Sequence, residues 1–369
     1  GGTTGGEKNE TDFTKKTQPS RSPVLESQIT YTGPSLNVAD ANDDEETPNE
    51  STTALKRAAE NFRNTAENVT NYVIRIINKA TGNDNTLNVT LKDVNIDASS
   101  SKTNDAALSV EGAGDTKITL VGDNKLTSGN QCAGLEHNEE STGTTGKLTI
   151  TSGTDKNGNN TGSLTATGSG ASAGIGSVTF FLGSGAGIIE IAGGTITEAI
   201  GGDGGAGIGS GANSFGTTTV NITSGTVKAQ GGDYGAGIGG GDNSRNTNIT
   251  ISGGTIEEAV GGSTGDGIGG GNNSSNITVT IQGGTIKKAQ GGKGNFYAGH
   301  GIHSDSTLNI SGGTIENAQG GNGNYYGGHG IYSDSTLNIS GKAFIQNAKG
   351  GDGGTEGGSG IRSDSTLDI

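Results

Sequence analysis

The sequence predicts an all-β fold, a parallel β-solenoid that turns one coil per repeat. Three observations lead there. Alanines recur at Ala199, Ala229, Ala259, Ala289, Ala318 and Ala348, spaced 30, 30, 30, 29 and 30 residues apart. Each is followed two residues later by a Gly-Gly pair, and then by a second column at Ile208, Ile238, Ile268, Ile302, Ile331 and Ile361. Between the columns apolar and polar residues alternate, with no helical periodicity. A period of this size marks stacked units rather than an ordinary globule.

Three strands are legible in each coil. In Thr307-Leu308-Asn309-Ile310 the alternation turns Leu308 and Ile310 inward and Thr307 and Asn309 outward. The same pattern recurs at Val220/Ile222, Ile249/Ile251, Val279/Ile281 and Leu337/Ile339, so successive coils stack like on like. A second strand follows a Gly-Gly-Thr-Ile turn, as in Gly253 to Ala259, and the third is the short Gly267-Ile268 type of segment. Each buried aliphatic side chain contributes roughly 1.5–3 kcal/mol. Weaker copies run back through Leu148/Ile150, Ile118/Leu120 and Val89, giving about ten coils of ~30 residues.

Composition fits a thin-cored rod. The 73 glycines sit at fixed offsets where tight corners need φ > 0, and the 28% hydrophobic content fills a core one side chain deep. All four prolines, Pro19, Pro23, Pro34 and Pro48, precede the repeats, as a continuous ladder requires. The single cysteine, Cys132, excludes an intramolecular disulfide and reads as a small buried thiol. A formal charge of −15 argues against nucleic acid as a partner. No stretch approaches the 18 apolar residues of a spanning helix, so no membrane insertion is expected. The opening Gly1-Gly2-Thr3-Thr4, without an initiator methionine, reads as a processed or trimmed start, which leaves the lack of a secretory signal uninformative.

The first 87 residues are organised differently. Residues 1–46 form an extended polar N-terminal segment with two short apolar patches, Val24-Leu25 and Gln28-Ile29-Thr30-Tyr31. Residues 47–69 read as an amphipathic capping helix. Thr47-Pro48-Asn49-Glu50 makes its capping box, and Ala54, Leu55, Ala58, Ala59, Phe62 and Ala66 share one face. Such a helix covers the open apolar end of the first coil, with partner binding as the other reading. Residues 70–369 are the β-helix itself.

The run Leu91-Lys92-Asp93-Val94-Asn95-Ile96, the run Lys117 to Leu126, and the Gly-Ala-Gly-Ile-Gly units at Gly205 to Gly209 and Gly235 to Gly239 resemble those of bacterial secreted proteins with a pectate-lyase-like right-handed parallel β-helix. Within that group the chain is most similar to carbohydrate-binding β-helix modules of cell-surface proteins. The resemblance implies a single-stranded right-handed coil, which periodicity alone does not give, and an extracellular or cell-surface setting. Lyase chemistry needs a basic residue beside a calcium-holding carboxylate cluster. From Asn88 onward there are two arginines, Arg245 and Arg362, several turns apart, and no recurring acidic loop surrounds a lysine. The expectation is therefore a non-enzyme. A polysaccharide lyase or hydrolase remains an alternative, because any two coils can juxtapose a carboxylate pair.

Three features stand out. The residues before the column alanines, Glu198, Lys228, Glu258, Lys288, Asn317 and Asn347, form a charge ladder worth about 0.2–1 kcal/mol per pair. In the last coils the loop before the isoleucine lengthens, setting Phe296 and Tyr297 against Tyr325 and Tyr326. Asp266, His300 and His329 share one column there, and His303, Tyr332 and Arg362 the next. The plain reading is stacking on the outer wall. Rings beside hydrogen-bonding groups also make Phe296, Tyr297, His300, His303, Tyr325, Tyr326, His329, Tyr332 and Arg362 a candidate carbohydrate-binding surface, with a metal at the histidine pair and catalysis as further alternatives. Ser-Asp-Ser-Thr repeats place Asp305, Asp334 and Asp364 one coil apart, as corner turns or as ligands for calcium, the one candidate cofactor. The outward Thr/Asn columns beside them read as hydrogen-bonded ladders, with a flat ice-binding face as the remote alternative.

The sequence stops in mid-coil after Leu367 and Ile369. An uncapped coil is a template for another chain, so either the chain was cut here or a second molecule covers the end. The functional expectation is a structural or adhesive surface protein that associates with itself head to tail into a fibre. In that arrangement Gln28, Ile29, Thr30 and Tyr31 add as a strand to a neighbour, and Leu367 and Ile369 lie in the contact. A monomeric polysaccharide-binding module is the first alternative.

Overall fold

The computed structural model describes residues 73–80, 86–100, 104–139, 145–179 and 184–369, together with the backbone of strands Glu26–Tyr31 and Leu36–Asn37. The expected helix over 47–69, and the rest of the 1–46 segment, lie outside the described residues. Among the described residues all regular structure is β-strand, and every ladder between strands is parallel. No described helix is long and apolar enough to cross a membrane.

The chain winds as a parallel β-solenoid. One sheet carries eleven strands in sequence order, from Glu26–Tyr31 and Val73–Asn78 to Ile361–Ser363. The ten strands from Val73–Asn78 onward describe about nine turns, close to the ten expected. An eighteen-stranded sheet supplies the other two strand columns of each coil.

Register follows the sequence columns. Val220 pairs with Ile249, then Val279, Leu308, Leu337 and Leu367 in successive coils. The alanine column pairs Ala199 through Ala348 coil after coil, the register shifts at Ile196/Ala199 and Val227/Lys228 being taken up just before it, and its members from Ala199 to Ala318 are buried. Because strand side chains alternate, a one-residue slip would turn this entire set outward, so burial fixes the register. On the outside, Lys228 Nζ lies 3.5 Å from Glu198 and 3.7 Å from Glu258, and Lys288 Nζ lies 2.7 Å from Glu258. Asn347 Nδ2 donates to Asn317 Oδ1 at 3.0 Å where the charges end.

Strand Glu26–Tyr31 pairs in parallel with Val73–Asn78 of its own chain, Gln28 opposite Arg75 and Tyr31 opposite Asn78. Leu36–Asn37 likewise pairs with Leu87–Asn88. The patch expected to add to a neighbouring molecule is thus paired within the chain. Its register partner lies 47 positions on, well outside the 30-residue period that revealed the other strands.

Candidate functional site

The site arises where the coil changes its plan. In the coil that ends at Ile268, the chain runs nine residues from Ala259 to the isoleucine and eleven onward to Val279. In the next it takes thirteen from Ala289 to Ile302 and six onward to Leu308. Loop length has moved from one corner to the other while the period hardly changes. The lengthened loop has four more residues before its isoleucine than the loop of the preceding coil, a step in loop length, and bridges Gly294–Gly323 and Tyr297–Tyr326 hold it against the loop that follows.

Phe296 and Tyr325 stack at 4.8 Å between ring centroids and 7° between planes, and Tyr297 and Tyr326 at 5.0 Å and 10°. Each ring therefore gives one face to its partner in the adjacent coil. Phe296 and Tyr297, on the step, are 62% and 66% exposed, against 48% and 37% for Tyr325 and Tyr326. The coil after them carries Thr355 and Glu356 in place of rings, with Tyr326 bridged to Glu356.

Beside these rings runs a second ladder. Asp266 Oδ1 accepts the His300 amide at 2.8 Å, His300 Nδ1 accepts the His329 amide at 2.9 Å, and His329 Nδ1 accepts the Ser359 amide at 2.7 Å. The two imidazoles stack at 5.1 Å. Between the ladders lies a groove of about 230 Å³ lined by Tyr297, His300, Tyr326, His329, Tyr332, Glu356 and Arg362.

The next column is glycine in the preceding coils. Gly176, Gly209, Gly239 and Gly269 have φ between 134° and 152°, and a Cβ at Gly239 would collide with the carbonyl oxygen of Gly269. From residue 303 the column holds His303, Tyr332 and Arg362, none with positive φ. His303 stacks on Tyr332 at 5.0 Å, and the Arg362 guanidinium lies 5.8 Å from the Tyr332 centroid.

At the boundary Asp266 is buried and accepts from His303 Nδ1 at 2.9 Å and from the Gly270 amide at the same distance. His303 Nε2 faces Asp334 at 3.4 Å and Asp305 at 3.7 Å. Burial opposes charge on His303, but Asp266 above all, with Asp334 and Asp305, overcomes it and raises the imidazole to about 10. Burial and the neighbouring positive His303 push His300 down to about 3. Burial would raise Asp266 as well, yet His303 holds it below the usual carboxylate range.

The structure brings His300, His303, His329, Tyr332 and Arg362 together beside the aromatic step. Of the three aspartates it brings Asp305 and Asp334 together at His303, Asp305 also accepting the Ile277 amide at 2.9 Å, and sets Asp364 apart, where it accepts from Tyr332 Oη and Arg362 Nε, both at 2.7 Å. Leu367 and Ile369 are exposed on the last coil. Cys132 is buried, and burial pushes its thiol far up, as befits a packing residue.

Two contributors escaped the sequence reading. Glu356 lines the groove, and its alignment with Tyr326 one coil earlier was the available signal. Asp266 was placed in its column without a role, because its partner His303 belongs to the next column and is 37 residues away. No protein family, curated protein or solved structure matches this chain. Of the expected resemblance to secreted β-helix proteins, the structure bears out the parallel β-solenoid fold.

Proposed function

We propose that this chain is an extracellular, non-enzymatic surface protein whose right-handed coil is a rigid spacer and whose last coils bind polysaccharide. The observation that carries the reading is the step at Phe296 and Tyr297. Two exposed rings, braced from behind by Tyr325 and Tyr326, turn their free faces toward the shorter coil. Sugar rings stack on such faces, while the adjoining groove offers phenol, imidazole, carboxylate and guanidinium groups to hydroxyls. The right hand is what the resemblance to secreted β-helix proteins implies.

Binding without chemistry fits the groove lining, in which Glu356 is the single carboxylate and a glycosidase pair needs two. The fibre reading is less well supported, since Gln28 to Tyr31 already pair with the chain's own first coil.

Retention on insoluble polysaccharides and on a glycan array tests the proposal. Tyr297→Ala combined with Phe296→Ala is expected to weaken retention about fivefold or more, as loss of two stacking contacts of about 0.5–1.5 kcal/mol each implies. The circular dichroism of the coil should stay unchanged. Equal retention of wild type and double variant removes the step as a binding surface.

A further inference from the structure

We propose that His303, Asp305 and Asp334 form a site for a zinc-class divalent cation, with Asp266 as the carboxylate that orients the imidazole. The site is independent of the glycan reading and uses different atoms. One nitrogen and two carboxylate oxygens, contributed by two successive coils, lie within 4.8 Å of one another. The distances from His303 Nε2, 3.4 Å to Asp334 and 3.7 Å to Asp305, match the edge of a tetrahedron. Metal–ligand bonds of about 2.0–2.2 Å place neighbouring ligands about 3.4 Å apart.

The second observation is the support behind the imidazole. Buried Asp266 accepts from His303 Nδ1 at 2.9 Å and is itself fixed by the amides of Gly270 and His300. This is the carboxylate–histidine arrangement that sets ring orientation in zinc sites and leaves Nε2 for the metal. Asp305 is held by the Ile277 amide through Oδ2, which leaves Oδ1 turned toward His303. Asp334 is exposed, so an ion can enter and keep water in its fourth position. A mixed nitrogen and oxygen donor set favours zinc over calcium, which takes oxygen ligands alone.

The neighbouring group Asp266, His300 and His303 is the poorer site. His300 Nδ1 accepts the His329 amide, and both Asp266 oxygens are engaged. A cation at the first group instead ties two coils together next to the boundary where the loops change corner, replacing the proton on Nε2 as it binds.

The full chain, stripped of metal, is titrated calorimetrically with zinc and separately with calcium, and bound metal is counted after dialysis. The expected result is one zinc per chain, held at least about tenfold more tightly than calcium, with a rise in melting temperature. Asp334→Asn and Asp305→Asn, near-isosteric changes, should each abolish stoichiometric binding, and Asp266→Asn should weaken it by about 10–100-fold. Asp364→Asn, one coil further on, should bind as wild type does. Cobalt bound in place of zinc should show the visible absorption of a four-coordinate ion. Three results overturn the proposal: no saturable zinc binding, stoichiometric binding retained in either Asp305→Asn or Asp334→Asn, or preference for calcium.

Discussion

In the coils that end at Ile238 and Ile268 the long corner follows the isoleucine; in those that end at Ile302, Ile331 and Ile361 it precedes it. The first kind builds its corner from backbone. Asn213, Asn243 and Asn273 stack at φ between 51° and 56°, with Asn243 Nδ2 donating to Asn213 Oδ1 at 2.8 Å, and Asn246 and Asn276 repeat the device. Its glycine column lets carbonyls of adjacent coils approach where a side chain would collide. The second kind builds its corner from side chains, with rings, imidazoles and a guanidinium in matching columns. Both share one core. The difference teaches that a solenoid can keep one interior while its side-chain-rich corner moves around the circumference, and that Asp266 and His303 lie where the two plans meet.

The largest effect expected from breaking this comparison is at the glycine column. Gly239→Ala must strain the backbone, about 1–3 kcal/mol before the collision with Gly269 is counted. Tyr332→Ala at the equivalent place in the second kind should cost less. Chemical denaturation of the two variants checks the contrast, and equal destabilisation would mean that the columns do not differ in backbone demand.

A second contrast concerns pH, with the metal-free protein as the sample. His303, raised to about 10, contributes stability that is fully present below pH 6.5 and is lost as pH rises toward 10. His300, lowered to about 3, contributes stability present above pH 6.5 and lost as pH falls toward 3, where the low carboxylate range of Asp266 adds to the loss. Hydrogen exchange in residues 286–339 should therefore be slowest near pH 6.5 and faster on both sides, beyond the intrinsic trend. His303→Gln should flatten the alkaline arm; an unchanged alkaline arm in that variant contradicts the assignment.

The smallest effect belongs to the outer charges of the first kind of coil. Lys228 sits between Glu198 and Glu258 and is partly exposed, so Lys228→Gln should cost about 0.2–1 kcal/mol and lose that effect in high salt. Asn317→Ala, in the uncharged continuation of the same column, should show no salt dependence.

Much of the fold was legible because stacking repeats the same residue type at the same offset. Alanine and isoleucine columns, inward aliphatics and alternating charges each announce themselves at the period, and the pairing of Val220 with Ile249 needs nothing more. The corner exchange was only half legible. The lengthened loop before Ile302 was visible, but the shortening before Leu308 nearly cancels it in the period and conceals the trade. The intramolecular pairing of Glu26–Tyr31 was hidden by the break in period, and the Asp266–His303 pair by its crossing from one column to another.

The amide ladder through His300 and His329 decides what that wall can say to a ligand. A ring nitrogen that accepts a backbone amide carries no proton, so each neutral imidazole must keep its hydrogen on Nε2. Both rings line the groove, so wherever Nε2 meets a polysaccharide bound there as proposed, it meets it as a donor. The tautomer, chosen by the neighbouring coil's backbone, thus becomes a filter. Ether and hydroxyl oxygens find a proton waiting, while an ammonium or amide N–H arriving at the same place meets another proton and is turned away.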